Sequence, residues 1–149
     1  MEVNDKVADF ALQTEEDKTV HLKDFAGKPV VLFFYPKADT PGCTIEACGF
    51  RDVFQKIQQA GAVVLGISRD TPKAQKKFKE KFALPYTLLA DVDEVVCKQF
   101  DVLKEKNMYG KKVMGVERTT FIIDEHGKIQ KIFSKVKPAG HAEEVLAAL

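Results

Sequence analysis

The sequence predicts an α/β fold, a central mixed β-sheet flanked by helices, with an antiparallel end. Three observations carry this. Val30 to Tyr35 and Ala62 to Ser68 are apolar runs bounded by turn residues, as expected of strands buried on both faces of a sheet. A segment of helical spacing follows each run. Nearer the C-terminus, two strand-like runs are joined by Asp124-Glu125-His126-Gly127, which reads as a hairpin turn. Strands separated by helices become parallel neighbours, and the hairpin supplies the antiparallel end.

The elements follow in order. Val7 to Leu12 and Thr19 to Leu22 read as short strands around a polar turn at Glu15-Glu16-Asp17. Gly27-Lys28-Pro29 ends this opening segment, and Pro36 stops the strand that follows. Thr44 to Gln59 has helical spacing, with Ile45, Phe50, Val53, Phe54 and Ile57 able to share a face and Gly61 punctuating the end. After the second buried run, Thr71 is placed to cap a helix that has Pro72 at its first position. Thr87 to Ala90 is a short strand and Asp93 to Phe100 a short helix. Lys104 to Gly115 is polar with two glycines and reads as a loop. Thr119 to Ile123 and Lys128 to Phe133 form the hairpin, and Gly140 to Leu149 closes the chain as a helix.

At 149 residues, without repeats, linkers or low-complexity segments, one domain spanning 1–149 is expected. Lys and Arg number 23 against 22 Asp and Glu, so no charge asymmetry argues for nucleic acid or a membrane surface. The basic run Lys73 to Lys81 reads as the solvated face of a helix. No apolar run approaches the length of a membrane span, and Met1-Glu2-Val3-Asn4-Asp5-Lys6 lacks the apolar core of a signal peptide. A cytoplasmic location is expected. Three cysteines are too few for a disulfide scaffold, and a close pair in a reducing compartment points to metal or redox chemistry. Metal is the weaker choice, because His21, His126 and His141 are scattered and a zinc site wants four ligands at short spacing.

The close pair lies in Pro36-Lys37-Ala38-Asp39-Thr40-Pro41-Gly42-Cys43-Thr44-Ile45-Glu46-Ala47-Cys48, where the chain leaves a buried strand and starts a helix near Cys43. A free cysteine has a pKa of about 8.5, so only about 3% is thiolate at pH 7. Lowering a thiol pKa to about 6 takes roughly 3.4 kcal/mol of preferential thiolate stabilisation. A helix terminus supplies typically about 0.3–1 kcal/mol and at most about 2. The Thr40 hydroxyl, three residues upstream, can donate a hydrogen bond to the sulfur. A fixed cation is also wanted, and the arginines are Arg51, Arg69 and Arg118.

Pro36-x-x-x-Thr40-x-x-Cys43 resembles the active-site signature of the peroxiredoxins, the thiol peroxidases. The extension Thr40-Pro41-Gly42-Cys43-Thr44-x-Glu46-Ala47-Cys48 is similar to the peroxiredoxin Q or bacterioferritin comigratory protein branch, and the likeness runs from about Val7 to the C-terminus. The resemblance selects the thioredoxin-like version of the α/β fold. It implies reduction of hydrogen peroxide and small organic hydroperoxides with no metal, haem or flavin. It makes Cys43 the peroxidatic cysteine. The family's strand-entry arginine matches Arg118 in Arg118-Thr119-Thr120-Phe121-Ile122-Ile123-Asp124, with Arg51 and Arg69 as rivals. Thr40, Arg118 and the amides near Gly42 and Cys43 would hold the peroxide in line, and Pro36 would shape the loop and shield the sulfur.

By the same resemblance, Cys48 resolves the Cys43 sulfenic acid as an intramolecular disulfide, which thioredoxin or a similar dithiol protein reduces. A monomer is implied, since resolution within one chain needs no partner. The other reading of Cys48 is a small buried hydrophobe. Five residues along an ideal helix separate α-carbons by roughly 8–9 Å and turn side chains about 140° apart. A disulfide tolerates about 7 Å at most. The two cysteines therefore cannot bond while Thr44 to Ala47 stays helical, and local unwinding is expected. Cys97, on the apolar side of its short helix, is expected to be inert. The rival functions are a thiol–disulfide oxidoreductase, which Thr40 in place of a first C-x-x-C cysteine counts against, and a peroxide sensor or chaperone without turnover.

Overall fold

The computed structural model describes residues 1–149. Its nine strands are β1 (Ala11–Thr14), β2 (Thr19–His21), β3 (Val30–Phe34), β4 (Val63–Ser68), β5 (Thr87–Ala90), β6 (Leu103–Met108), β7 (Lys111–Val116), β8 (Thr119–Ile123) and β9 (Ile129–Phe133). The α-helices are α1 (Pro41–Gln59), α2 (Pro72–Phe82), α3 (Val95–Gln99) and α4 (His141–Ala147), and a 3-10 turn covers Leu22–Phe25. Seven strands form one sheet in the order β2-β1-β5-β4-β3-β8-β9, while β6 and β7 pair separately.

β3, β4 and β5 are parallel, as their helical connections require, and β8 lies antiparallel against β3. Every residue of β3 is buried, and its side chains alternate between two cores. Leu32 and Phe34 join Leu65, Ile67, Phe121 and Phe100 on one face. Val31, Phe33 and Tyr35 meet α1 and α4 on the other, against Phe50, Ile57 and Val145. The mixed, helix-flanked sheet is the one anticipated from the sequence.

Several boundaries moved. β1 begins at Ala11, so Phe10 enters the core from outside a strand. Thr71 caps α2 as expected, its hydroxyl oxygen accepting from the Ala74 amide at 3.2 Å. The Lys73–Lys81 face is less free than a solvated run, since Lys79 pairs with buried Glu15 and Lys81 with Asp39 at 2.9 Å. The expected loop at Lys104 to Gly115 is instead the β6–β7 hairpin, turning through Tyr109 (φ 53°) and Gly110 (φ 78°). Both strands are largely exposed, so no apolar alternation marked them.

α1 also differs. It starts at Pro41, and its buried residues are Cys43, Glu46, Ala47, Phe50, Val53 and Ile57. Ile45, expected on the apolar face, is 53% exposed. The face runs through residues three and four apart from Cys43, and Ile45 falls off that stripe while a carboxylate falls on it.

Candidate active site

β3 and β8 run antiparallel with Phe34 opposite Thr119, which brings the exit of β3 beside the entry to β8. Tyr35 and Pro36 leave one strand where Arg118 enters the other. Buried Tyr35 fixes this end: its hydroxyl donates to Gln75 Oε1 at 2.5 Å, and Gln75 Nε2 donates to the Leu89 carbonyl at 2.8 Å. The loop from Pro36 to Thr40 is tethered to the end of β4, because the Ala38 amide donates to Asp70 Oδ2 at 2.8 Å and Ser68 Oγ donates to the same oxygen at 2.5 Å. Ser68 and Asp70 carried no sequence signal beyond their place after a strand.

The first helical hydrogen bond of α1 runs from the Thr44 amide to the Thr40 carbonyl at 2.9 Å. The amides of Gly42 and Cys43 precede it, where a helix has donors without intrahelical partners. Cys43 is 1% exposed. Arg118 Nη1 donates to its Sγ at 3.5 Å and to Glu46 Oε1 at 2.9 Å. One guanidinium nitrogen therefore serves both groups, one helical turn apart on the same face of α1.

The rival arginines are engaged elsewhere. Arg51 donates to Asp52 and to the Phe82 carbonyl, and Arg69 to Glu94 and the Met114 carbonyl. Thr40 is in place but turned. Its hydroxyl donates to the Lys37 carbonyl at 2.8 Å, whereas the sequence suggested donation to sulfur. It stands at the N-cap position of α1 without a side-chain cap, and folds back over the loop it closes. Pro36 is half-buried at the start of that loop. Cys48 is half-buried and free, and Cys97 is fully buried and free.

Glu46 is the site residue to which sequence reasoning gave no role. It is 0% exposed, and its Oε2 has no hydrogen-bond partner. Burial pushes its carboxyl up to about 7, against the pull of Arg118. Burial opposes the charge on Arg118, but Glu46 and Cys43 outweigh it and raise its pKa further. The available signal was spacing: an acid three residues after Cys43 lies on the same helix face.

The chain matches the AhpC/TSA family over residues 3–132. A Coxiella burnetii protein is 54% identical over 149 residues, spanning 100% of this chain and 99% of the relative. Peroxiredoxin Bcp of Bacillus subtilis is 44% identical over 149 residues, spanning 100% of this chain and 95% of the relative. This chain belongs to the peroxiredoxins. The solved bacterioferritin comigratory protein of Xanthomonas campestris superposes with a TM-score of 0.90 at 43% identity, covering 93% of this peroxiredoxin and 88% of that chain. A cysteine-to-serine mutant of PrxQ from Xylella fastidiosa gives 0.95 at 38% identity, covering 99% and 94%. The fold is thus thioredoxin-like, and the activity is that of a thiol-dependent peroxidase. No helix of this peroxiredoxin is long and apolar enough to cross a membrane.

Proposed function

We propose that Cys43 is the peroxidatic cysteine and Cys48 the resolving one, in a single-domain enzyme that reduces hydrogen peroxide and organic hydroperoxides. The observation that carries the assignment is the 3.5 Å approach of Arg118 to Cys43 Sγ at the start of α1. A fixed cation and free helix amides both favour thiolate, and the same donors face the oxygen that departs.

The Cys43 thiolate attacks one peroxide oxygen. The S–O bond forms, the O–O bond breaks, and the other oxygen leaves with the electron pair and takes up a proton as water or alcohol. Thiolate abundance alone offers a limited gain, because lower basicity also lowers nucleophilicity. The larger share must come from holding the peroxide in line and stabilising the leaving oxygen. Arg118 and the Gly42 and Cys43 amides supply that in this reading. Thr40 joins them by rotating its hydroxyl from Lys37 to the bound peroxide, and Pro36 covers the sulfur.

Cys48 then condenses with the sulfenic acid after the start of α1 unwinds. Thioredoxin, or a similar dithiol protein in the cytoplasm, reduces the disulfide, and a monomer suffices for the cycle. The test is hydrogen peroxide consumption driven by thioredoxin, thioredoxin reductase and NADPH. Cys43→Ser is expected to abolish turnover, and Cys48→Ser to slow it or make it depend on an added small thiol. Unchanged turnover in Cys43→Ser removes the peroxidatic assignment. Full turnover in Cys48→Ser leaves a one-cysteine enzyme.

A further inference from the structure

Tyr86 lies in the short connection between α2 and β5, outside every motif that marks the site. Its buried ring meets Phe33 edge-on at 5.8 Å between centroids and Phe54 at 6.0 Å. Its hydroxyl donates to the Ala47 carbonyl at 2.6 Å. Burial raises the tyrosine's pKa well above its usual value, so the hydroxyl keeps its proton. By its place in α1, the same carbonyl faces the Arg51 amide four residues on, and Tyr86 adds a second donor from another element.

Ala47 is the last residue between Cys43 and Cys48. The tie therefore falls on the stretch that has to leave the helix before the two cysteines can bond. The other side-chain tie from α1 to this region, Arg51 to the Phe82 carbonyl at 2.9 Å, lies beyond Cys48 and need not break. The region 82–86 thus grips α1 twice, once inside the opening stretch and once outside it.

We propose that Tyr86 is a positioning residue for the resolving step, its hydroxyl holding Ala47 in the helix and setting how often the start of α1 opens. The inference rests on the assignment of Cys48 as the resolving cysteine. Two reactions compete for the Cys43 sulfenic acid. In one, Cys48 sulfur attacks it: the S–S bond forms, the S–OH bond breaks, and the hydroxyl leaves with the thiol proton as water. In the other, the sulfenate attacks a second hydroperoxide, gains its oxygen as sulfinic acid, and releases alcohol or water. Only the first needs the helix open. A tie that keeps it closed prolongs the sulfenic acid and exposes it to the second reaction.

Tyr86→Phe removes the hydroxyl and keeps the ring. Reduced native protein and the variant are mixed with hydrogen peroxide, trapped with an alkylating reagent at intervals, and read by mass spectrometry. Disulfide formation is expected to be roughly 2- to 10-fold faster in the variant, the range of one hydrogen bond. The peroxide concentration that half-converts Cys43 to sulfinic acid is expected to rise by a similar factor. Amide hydrogen exchange should quicken in residues 42–48 and stay unchanged in α4. Equal disulfide rates, or exchange quickened throughout the molecule, overturn the proposal. If oxidised native protein shows no Cys48-dependent loss of two hydrogens, the resolving assignment itself fails, an outcome distinct from equal rates in two proteins that both form the disulfide.

Discussion

A Cβ built on Gly42 would stand 3.0 Å from Nη2 of Arg118, and the same atom would meet Pro138 Cγ at 3.4 Å. The guanidinium lies across the one position of the helix start that has no side chain. Gly42→Ala is therefore expected to push Arg118 off the sulfur while improving the helix propensity of the segment. Misplacement by a few tenths of an ångström should slow the reaction with peroxide about 10-fold. Stopped-flow oxidation and thermal melting, taken together, should show lower reactivity without lower stability.

Arg118 itself carries two burdens that a pair of variants separates. Arg118→Met is expected to lower the peroxide reaction about 100-fold, the scale of losing one donor to developing charge. It also leaves Glu46 buried without its counter-charge, so that its carboxyl moves further up and takes a proton, at a cost of about 1–2 kcal/mol in stability at pH 8. Adding Glu46→Gln should recover much of the stability and none of the rate. Denaturant melts of both variants beside their peroxide kinetics check this.

Glu46 gives the start of α1 a pH dependence with a defined sign. Its carboxyl is held at about 7 in the folded protein, against an ordinary value of 4.5. The neutral acid is thus favoured by folding. Its stabilisation is complete below about 4.5 and is lost as pH rises through about 7. The loss is on the order of 3 kcal/mol. Relative to Glu46→Gln, the native protein should lose stability between pH 5 and 8, as urea unfolding would show. A pH-independent difference between the two would refute the assignment.

Cys97 is held up by burial, with Asp91 accepting from its backbone amide at 2.7 Å and adding to the shift. The native protein should therefore resist thiol reagents at Cys97 while Cys48 reacts. Cys97→Ala should leave peroxide turnover unchanged and cost about 1–2 kcal/mol of stability. Mass mapping of alkylated protein would reveal the selectivity directly.

The parallel strands and most helices were legible because each carries its own signal, such as the unbroken apolar run of β3 or the Thr71-Pro72 start of α2. The β6–β7 hairpin was not. Its strands bury little beyond Gly115 and Val116, and Tyr109, the first of its two turn residues, is not a type that favours positive φ. At the site, Cys43 and Cys48 were visible as a pair, and the matched strand context picked out Arg118. The roles of Glu46 and Tyr86 were not visible, and Gly42 was legible for its amide but not for the room it leaves, because these roles arise from what approaches them. A carboxylate faces a guanidinium from another strand, a missing side chain makes room for it, and a hydroxyl arrives from a loop 39 residues away.

The two cores on opposite faces of the sheet have different duties. Cys43 and Ala47 belong to the core shared with α1, α2 and α4, and none of the proposed site residues belongs to the other. In the proposed cycle, opening the start of α1 would disturb one side of β3, while Leu32, Phe34 and Phe121 lie in the core on the other. The far face would then act as a keel, letting the molecule loosen its working side while keeping the register of the strands that must receive the helix again.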